Sequence, residues 1–168
     1  LTIQGSTWTR WSTQPYYIDD FLSKSVAQTD NKNGKVVWTL EINKGYGNGS
    51  APQKLSKFDK VDIVETIPQG MVLESIKFKN MNYTLSEQKG DYTVEMDGDV
   101  QKVTIHLNKV AENFSGYDMD KHVNLNVTTK ITSPTIKDFV NKAQMFIDDT
   151  ALYQVSAKTS INKGFLEK

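Results

Sequence analysis

The stretch Lys35-Val36-Val37-Trp38-Thr39-Leu40-Glu41-Ile42 decides the fold. Val36, Trp38, Leu40 and Ile42 point one way while Thr39 and Glu41 point the other, the period of two that marks a half-buried strand. Working outward, Val123 to Ile131 repeats the pattern, with Val123, Leu125, Val127 and Ile131 inward. Val103, Ile105 and Leu107 follow it too, as do Ile76 with Phe78 and Val61 with Ile63. Turn signals separate these runs: Asn33-Gly34, Gly45 to Gly49, Pro68-Gln69-Gly70, Lys89-Gly90-Asp91 and Asp97-Gly98-Asp99. Strands spaced by about ten residues with polar turns predict an all-β fold, an Ig-like antiparallel β-sandwich. Helix is expected only as one short turn from Ser133 to Asp138, with Ser133 as cap and Pro134 in the first position.

The 168 residues suit one domain with short flanks: a flanking segment over 1–17, the sandwich over 18–161 and a linker over 162–168. The chain reads as a segment of something longer, whose export signal or anchor would lie outside it. Hydrophobic residues form 38% of the chain, enough for a core. Twenty basic side chains balance twenty acidic ones, so the electrostatic footprint that binds nucleic acid or an anionic membrane is missing. No apolar run approaches the roughly 18 residues of a membrane span, so direct membrane insertion is not expected. With no cysteine, thiol nucleophiles, zinc–thiolate sites and disulfides are excluded. Trp8, Trp11, Tyr16 and Tyr17 in the flank are candidates for ligand contact or for packing at a domain junction.

The usual catalytic constellations are absent. His106 and His122 are the only histidines, and neither has a paired Ser or metal-ligand set in the sequence pattern. Asp97-Gly98-Asp99 and Asp118-Met119-Asp120 do not continue into a calcium-binding loop, so they read as solvated turns. Gly45 to Ser50 carries no lysine and no following helix, so it is not a phosphate loop. Asn48-Gly49-Ser50, Asn82-Tyr83-Thr84, Asn113-Phe114-Ser115 and Asn126-Val127-Thr128 match glycosylation sequons, as chance predicts for an Asn- and Thr-rich chain. No cofactor is implied, and no carboxylate pair stands out for turnover chemistry.

One set of residues breaks the sandwich pattern. Alternation in Leu22-Ser23-Lys24-Ser25-Val26 puts Lys24 beside Leu22 and Val26. In Val61-Asp62-Ile63-Val64-Glu65 it puts Glu65 beside Val61 and Ile63, with Asp62 outside. In Phe139-Val140-Asn141-Lys142-Ala143-Gln144-Met145 it puts Asn141 beside Phe139, Ala143 and Met145. Unpaired buried charge costs several kcal/mol. Either the three meet in the core, or one or more sit at an edge and point to solvent.

Trp38 to Asn43, then Val61 to Ile67, then Thr129 to Thr132 followed by Phe139 to Gln144 resemble the collagen-adhesin (Cna-A) type of isopeptide-forming domain. Such domains occur in cell-wall-anchored adhesins and pilins of Gram-positive bacteria. The resemblance runs from about Tyr17 to about Ile161 and is carried by the order and spacing of loose motifs. It implies an amide cross-link between Lys24, on the first strand, and Asn141, near the last. Glu65 matches the promoting acid, which is more often Asp in this subtype, so Asp62 is the fallback. The resemblance further implies an extracellular, cell-surface module held by a self-formed bond, and no enzyme. Its implied partners are a host extracellular-matrix protein or glycoprotein and neighbouring domains of the same surface protein. The alternative is a passive stalk or pilin-shaft domain with no ligand of its own.

Overall fold

A computed structural model describes residues 21–45 and 52–162. The expected flank over 1–17 with its four aromatics, the sequon at Asn48 and nearly all of the expected linker lie outside the described residues. Among the described residues, nine strands follow one another: β1 (Leu22–Asp30), β2 (Lys35–Ile42), β3 (Val61–Ile67), β4 (Met71–Phe78), β5 (Tyr92–Asp97), β6 (Val100–His106), β7 (Val123–Ile131), β8 (Asp138–Ile147) and β9 (Thr150–Ser160). They form a five-stranded sheet in the order β9-β8-β3-β6-β5 and a four-stranded sheet in the order β1-β2-β7-β4. Every pairing is antiparallel. The two sheets enclose the core as an all-β sandwich.

The alternation read in β2 holds residue by residue. Val36, Trp38, Leu40 and Ile42 are fully buried, and β7 matches them in register, with Trp38 opposite Val127 and Leu40 opposite Leu125. From the other sheet, Val61, Ile63, Ile105, Phe139 and Met145 fill the facing layer. The first and last strands meet along the side where the sheets approach. There the Thr29 and Thr159 hydroxyls are 2.7 Å apart, and the Phe21 amide donates to the Tyr153 hydroxyl at 3.1 Å.

Three details differ from the sequence reading. The helical turn expected at Ser133 to Asp138 does not form. Ser133 does cap, since its Oγ accepts from the Thr135 and Ile136 amides at 3.1 and 3.0 Å, but the chain then extends directly into β8. Among the described residues, helix lies instead at α1 (Leu107–Asn113), with a 3-10 turn at Leu55–Lys57. Leu107, which continued the β6 alternation in the sequence, is the first residue of α1. Its side chain stays buried because a helix can present Leu107 and Val110 to the core three residues apart. The Val61 amide donates to Asn108 Oδ1 at 2.6 Å and ties this helix to the start of β3. Strand β9 carries only half-buried apolar residues (Leu152, Val155 and Ala157), so its period-two signal was too weak to stand out.

Two places in the fold are sensitive to small changes. Gly70 turns β3 into β4 at φ +92°, and a Cβ there would meet Ile136, Ser133 and Phe139 at 3.1–3.2 Å. We expect Gly70→Ala to destabilise by about 1–3 kcal/mol in chemical denaturation, through both the positive φ and the crowding. At the opposite end, the Tyr83 hydroxyl donates to the buried Asp91 carboxylate at 2.6 Å, and Asp91 also accepts from the Ser86 amide and Asn113 Nδ2. Burial first, then the hydrogen bond to Asp91 and lastly its charge, push the Tyr83 phenol up to about 12. A raised phenol pKa means that the folded state favours the neutral form. The stabilisation is therefore complete below the ordinary phenol value of about 10 and is lost as pH rises through about 12. Ultraviolet titration of the phenols should show Tyr83 ionising that late, alongside Tyr117, which burial also pushes up, and Asp91→Asn should bring only the Tyr83 component down.

Candidate functional site

The two sheets bring Lys24, Glu65 and Asn141 together in the middle of the core. Lys24 sits on β1 opposite Leu40 of β2. Glu65 lies at the centre of β3, flanked by Val103 of β6 and Ala143 of β8. Asn141 is two residues before Ala143, so it shares the inward face of β8 and lies diagonally beside Glu65. Lys24 therefore reaches across from the four-stranded sheet to meet two residues of the five-stranded one.

Lys24 Nζ donates to Glu65 Oε2 at 2.5 Å, and both side chains are 0% exposed. Asn141 is also fully buried. The edge alternative is thereby removed, since all three side chains point inward. The bonding is incomplete. Glu65 Oε1 and both amide atoms of Asn141 are buried without a regular hydrogen-bond partner among the described residues. The Asn141 amide still lies near enough to favour the carboxylate slightly, the weakest of the influences on Glu65. Buried polar groups in folded chains are nearly always paired, so three such atoms at one point mark an unfinished set of interactions.

Electrostatics push the pair toward neutrality. Burial lowers the Lys24 pKa, against the opposing attraction of Glu65. Burial likewise raises that of Glu65, against Lys24. Both shifts favour moving the proton from ammonium to carboxylate, which leaves an amine beside a carboxylic acid. A neutral amine is a nucleophile, a protonated carboxyl can donate to an amide oxygen, and a carboxamide carbon is an electrophile. The site thus holds the three partners of an acyl transfer, without access for water.

The indole of Trp38 forms the wall behind the amine, with Lys24 Nζ 5.6 Å from the ring centroid. Trp38 Nε1 donates to Thr129 Oγ1 at 3.0 Å, and Thr129 is itself fully buried. Sequence reasoning placed Trp38 in the core but gave Thr129 no part. The available signal was a lone hydroxyl at an inward position of an otherwise apolar strand face.

Asp62, the fallback acid, stands elsewhere. It lies an odd number of residues from Glu65, on the outer face of the same strand. There its Oδ1 is 3.1 Å from His106 Nδ1 and its Oδ2 is 3.9 Å from Lys60 Nζ. The second histidine, His122, has Nε2 at 2.8 Å from Glu41 Oε2. Of the two aspartate turns, Asp118-Met119-Asp120 is used internally, since Asp120 accepts from the Ser56 amide and hydroxyl, each at 2.9 Å. Asp97-Gly98-Asp99 forms the tight turn between β5 and β6, where Asp97 pairs with Val100.

No protein-family model and no curated protein matches the sequence. Solved structures do match. A SadP mutant of Streptococcus suis superposes with a TM-score of 0.57 at 11% identity, over 84% of this chain and 85% of that one. The adhesion protein Fhb of the same species gives 0.56 at 12% identity, over 84% and 88%. The chain shares its sandwich fold with these two proteins. Collagen adhesin from Staphylococcus aureus also matches, with a TM-score of 0.47 at 18% identity, and this chain spans 49% of its length. In this sandwich, β1 and β8 are the strands that carry Lys24 and Asn141, one in each sheet.

Proposed function

We propose that this chain is a module of a Gram-positive surface adhesin that locks itself with an amide bond between Lys24 and Asn141. The observation that carries the proposal is the buried Lys24–Glu65 contact beside an Asn141 carboxamide with no regular partner among the described residues. The adhesin fold and the order of the three residues along the chain agree with it.

The step balances within the site. The proton shared by Lys24 and Glu65 rests on the carboxyl, leaving a neutral amine. Glu65 donates a hydrogen bond to Asn141 Oδ1 while Lys24 Nζ attacks Asn141 Cγ. The new Nζ–Cγ bond forms as Cγ–Nδ2 breaks. Glu65 relays a proton from Nζ to Nδ2, and ammonia leaves. Held side chains make the step intramolecular, which supplies a large effective molarity. The reaction occurs once per molecule and regenerates nothing, so it is self-modification rather than turnover.

The product would join β1 to β8 and close the chain from residue 24 to residue 141. By loop entropy such a link contributes about 4–5 kcal/mol. It would also fasten the two sheets to each other near the first strand, so that a pull on the chain ends is carried by a covalent bond. This suits an extracellular, cell-surface protein under shear that has no cysteine. The partner class we propose is a host extracellular-matrix protein or glycoprotein, together with neighbouring domains of the same surface protein. Solid-phase binding to matrix proteins and glycoproteins tests that part, and failure across the panel would favour a stalk or pilin-shaft role.

The bond has its own test. The intact mass of the folded protein should fall short of the sequence mass by one ammonia, and a tryptic digest should yield a branched peptide joining the Lys24 and Asn141 segments. Glu65→Gln should retain the fold and the full mass, whereas the Asp62→Asn control should lose the ammonia normally. A full mass in the folded wild type would refute the bond. Lys24→Ala and Asn141→Ala should each lower Tm by roughly 10–20 °C, because the constraint on the unfolded chain disappears.

A further inference from the structure

The Trp38 indole is fixed from one side and touches the reacting amine with the other. Across β2 and β7, Val36 pairs with Thr129 and Trp38 pairs with Val127. Across β1 and β2, Lys24 pairs with Leu40 and Val26 pairs with Trp38. The indole therefore lies between Thr129 on one diagonal and Lys24 on the other. The Thr129 hydroxyl donates its own hydrogen to the Val36 carbonyl at 2.9 Å, with Met71 Sδ at 3.5 Å as the alternative acceptor. Its lone pair is left facing Trp38 Nε1, 3.0 Å away. A hydroxyl committed in this way holds the ring in one rotation, because turning the indole would bury an unpaired N–H.

We propose that Thr129 is a positioning residue for the cross-link, acting on the Lys24 amine through the Trp38 indole; the inference rests on the cross-link reading above. Lysine has a long, flexible stem, and its amine must be held within reach of Asn141 Cγ for the attack to be fast. Glu65 supplies one wall and the ring face the other. The face attracts the ammonium form, keeping Nζ in place until its proton passes to Glu65. The neutral amine is then released from that attraction and can swing toward Asn141. A valine at position 129 would fill nearly the same space and suit the strand, but could not fix the ring.

The test follows ammonia loss by intact mass after pulse synthesis in a cell-free system, with circular dichroism reporting the fold. Thr129→Val should slow bond formation on the order of tenfold, as expected for a misplaced nucleophile. Thr129→Ser, which keeps the hydroxyl, should react at the wild-type rate. Trp38→Phe should be slow as well, and Thr129→Val should add nothing in that background, because its action runs through the indole. A merely stabilising hydroxyl would leave the rate of the folded protein unchanged. A folded Thr129→Val that cross-links at the wild-type rate overturns the inference, as does additive slowing in the double variant. If Thr129→Val does not fold, Trp38→Phe decides, and a wild-type rate there overturns it too. A wild type that keeps its full mass brings down the cross-link reading and this inference together, whereas the other outcomes leave the cross-link standing.

Discussion

A lysine and a glutamate placed in contact at the centre of a hydrophobic sandwich set the terms for everything around them. Removing both side chains from water costs several kcal/mol per ion, and attraction between them offsets this only when the remaining hydrogen-bonding capacity is also met. Here it is not met, since Glu65 Oε1 and the whole Asn141 carboxamide lack regular partners among the described residues. As an ordinary ion pair the arrangement is poor. As the starting point of an amide bond it is well suited, because the same burial that penalises the charges favours the amine and the acid.

Three other buried polar groups make a contrast. Asn43 donates to two carbonyls and accepts from the Gln53 amide, clamping the chain at a positive φ of 59°. Asp91 accepts three hydrogen bonds and joins the segment after β4 to the end of α1. Thr129 both donates and accepts. These three behave as structural groups do, with their hydrogen bonds made. Tyr117 Oη and Asn124 Oδ1 are also buried without a partner among the described residues, but each is a single atom, whereas three such atoms gather beside Lys24.

The sandwich itself does the work of assembly. Lys24 and Asn141 lie on different sheets, and Glu65 lies on a strand central to the second. Each is set by backbone register, and register in a half-buried sheet is strongly specified, because a slip of one residue would turn every side chain to the opposite face. Placement of the three is thus as firm as the packing of Trp38, Phe139 and Met145 around them.

Sequence alone determined the strands with strong alternation, such as β2 and β7, because both sheet faces see different surroundings and the period of two records it. It also put Lys24, Glu65 and Asn141 in phase with the apolar residues of their strands, since phase is a local property of each strand, but left open whether each faced the core or a solvent edge. It left open whether Asp62 could replace Glu65, though an odd spacing separates their faces. The helix position was lost because Ser133-Pro134 carries a local cap signal that the following strand overrides, while Leu107 to Asn113 has only two core residues to announce it. Strand β9 was lost because an edge strand that leans on its neighbours needs few apolar residues. Only the tertiary structure decided that the three inward polar residues meet, and that Thr129 steadies the indole behind the amine. Contacts between strands far apart in the chain depend on sheet order and on how two sheets face each other, and no local periodicity encodes either.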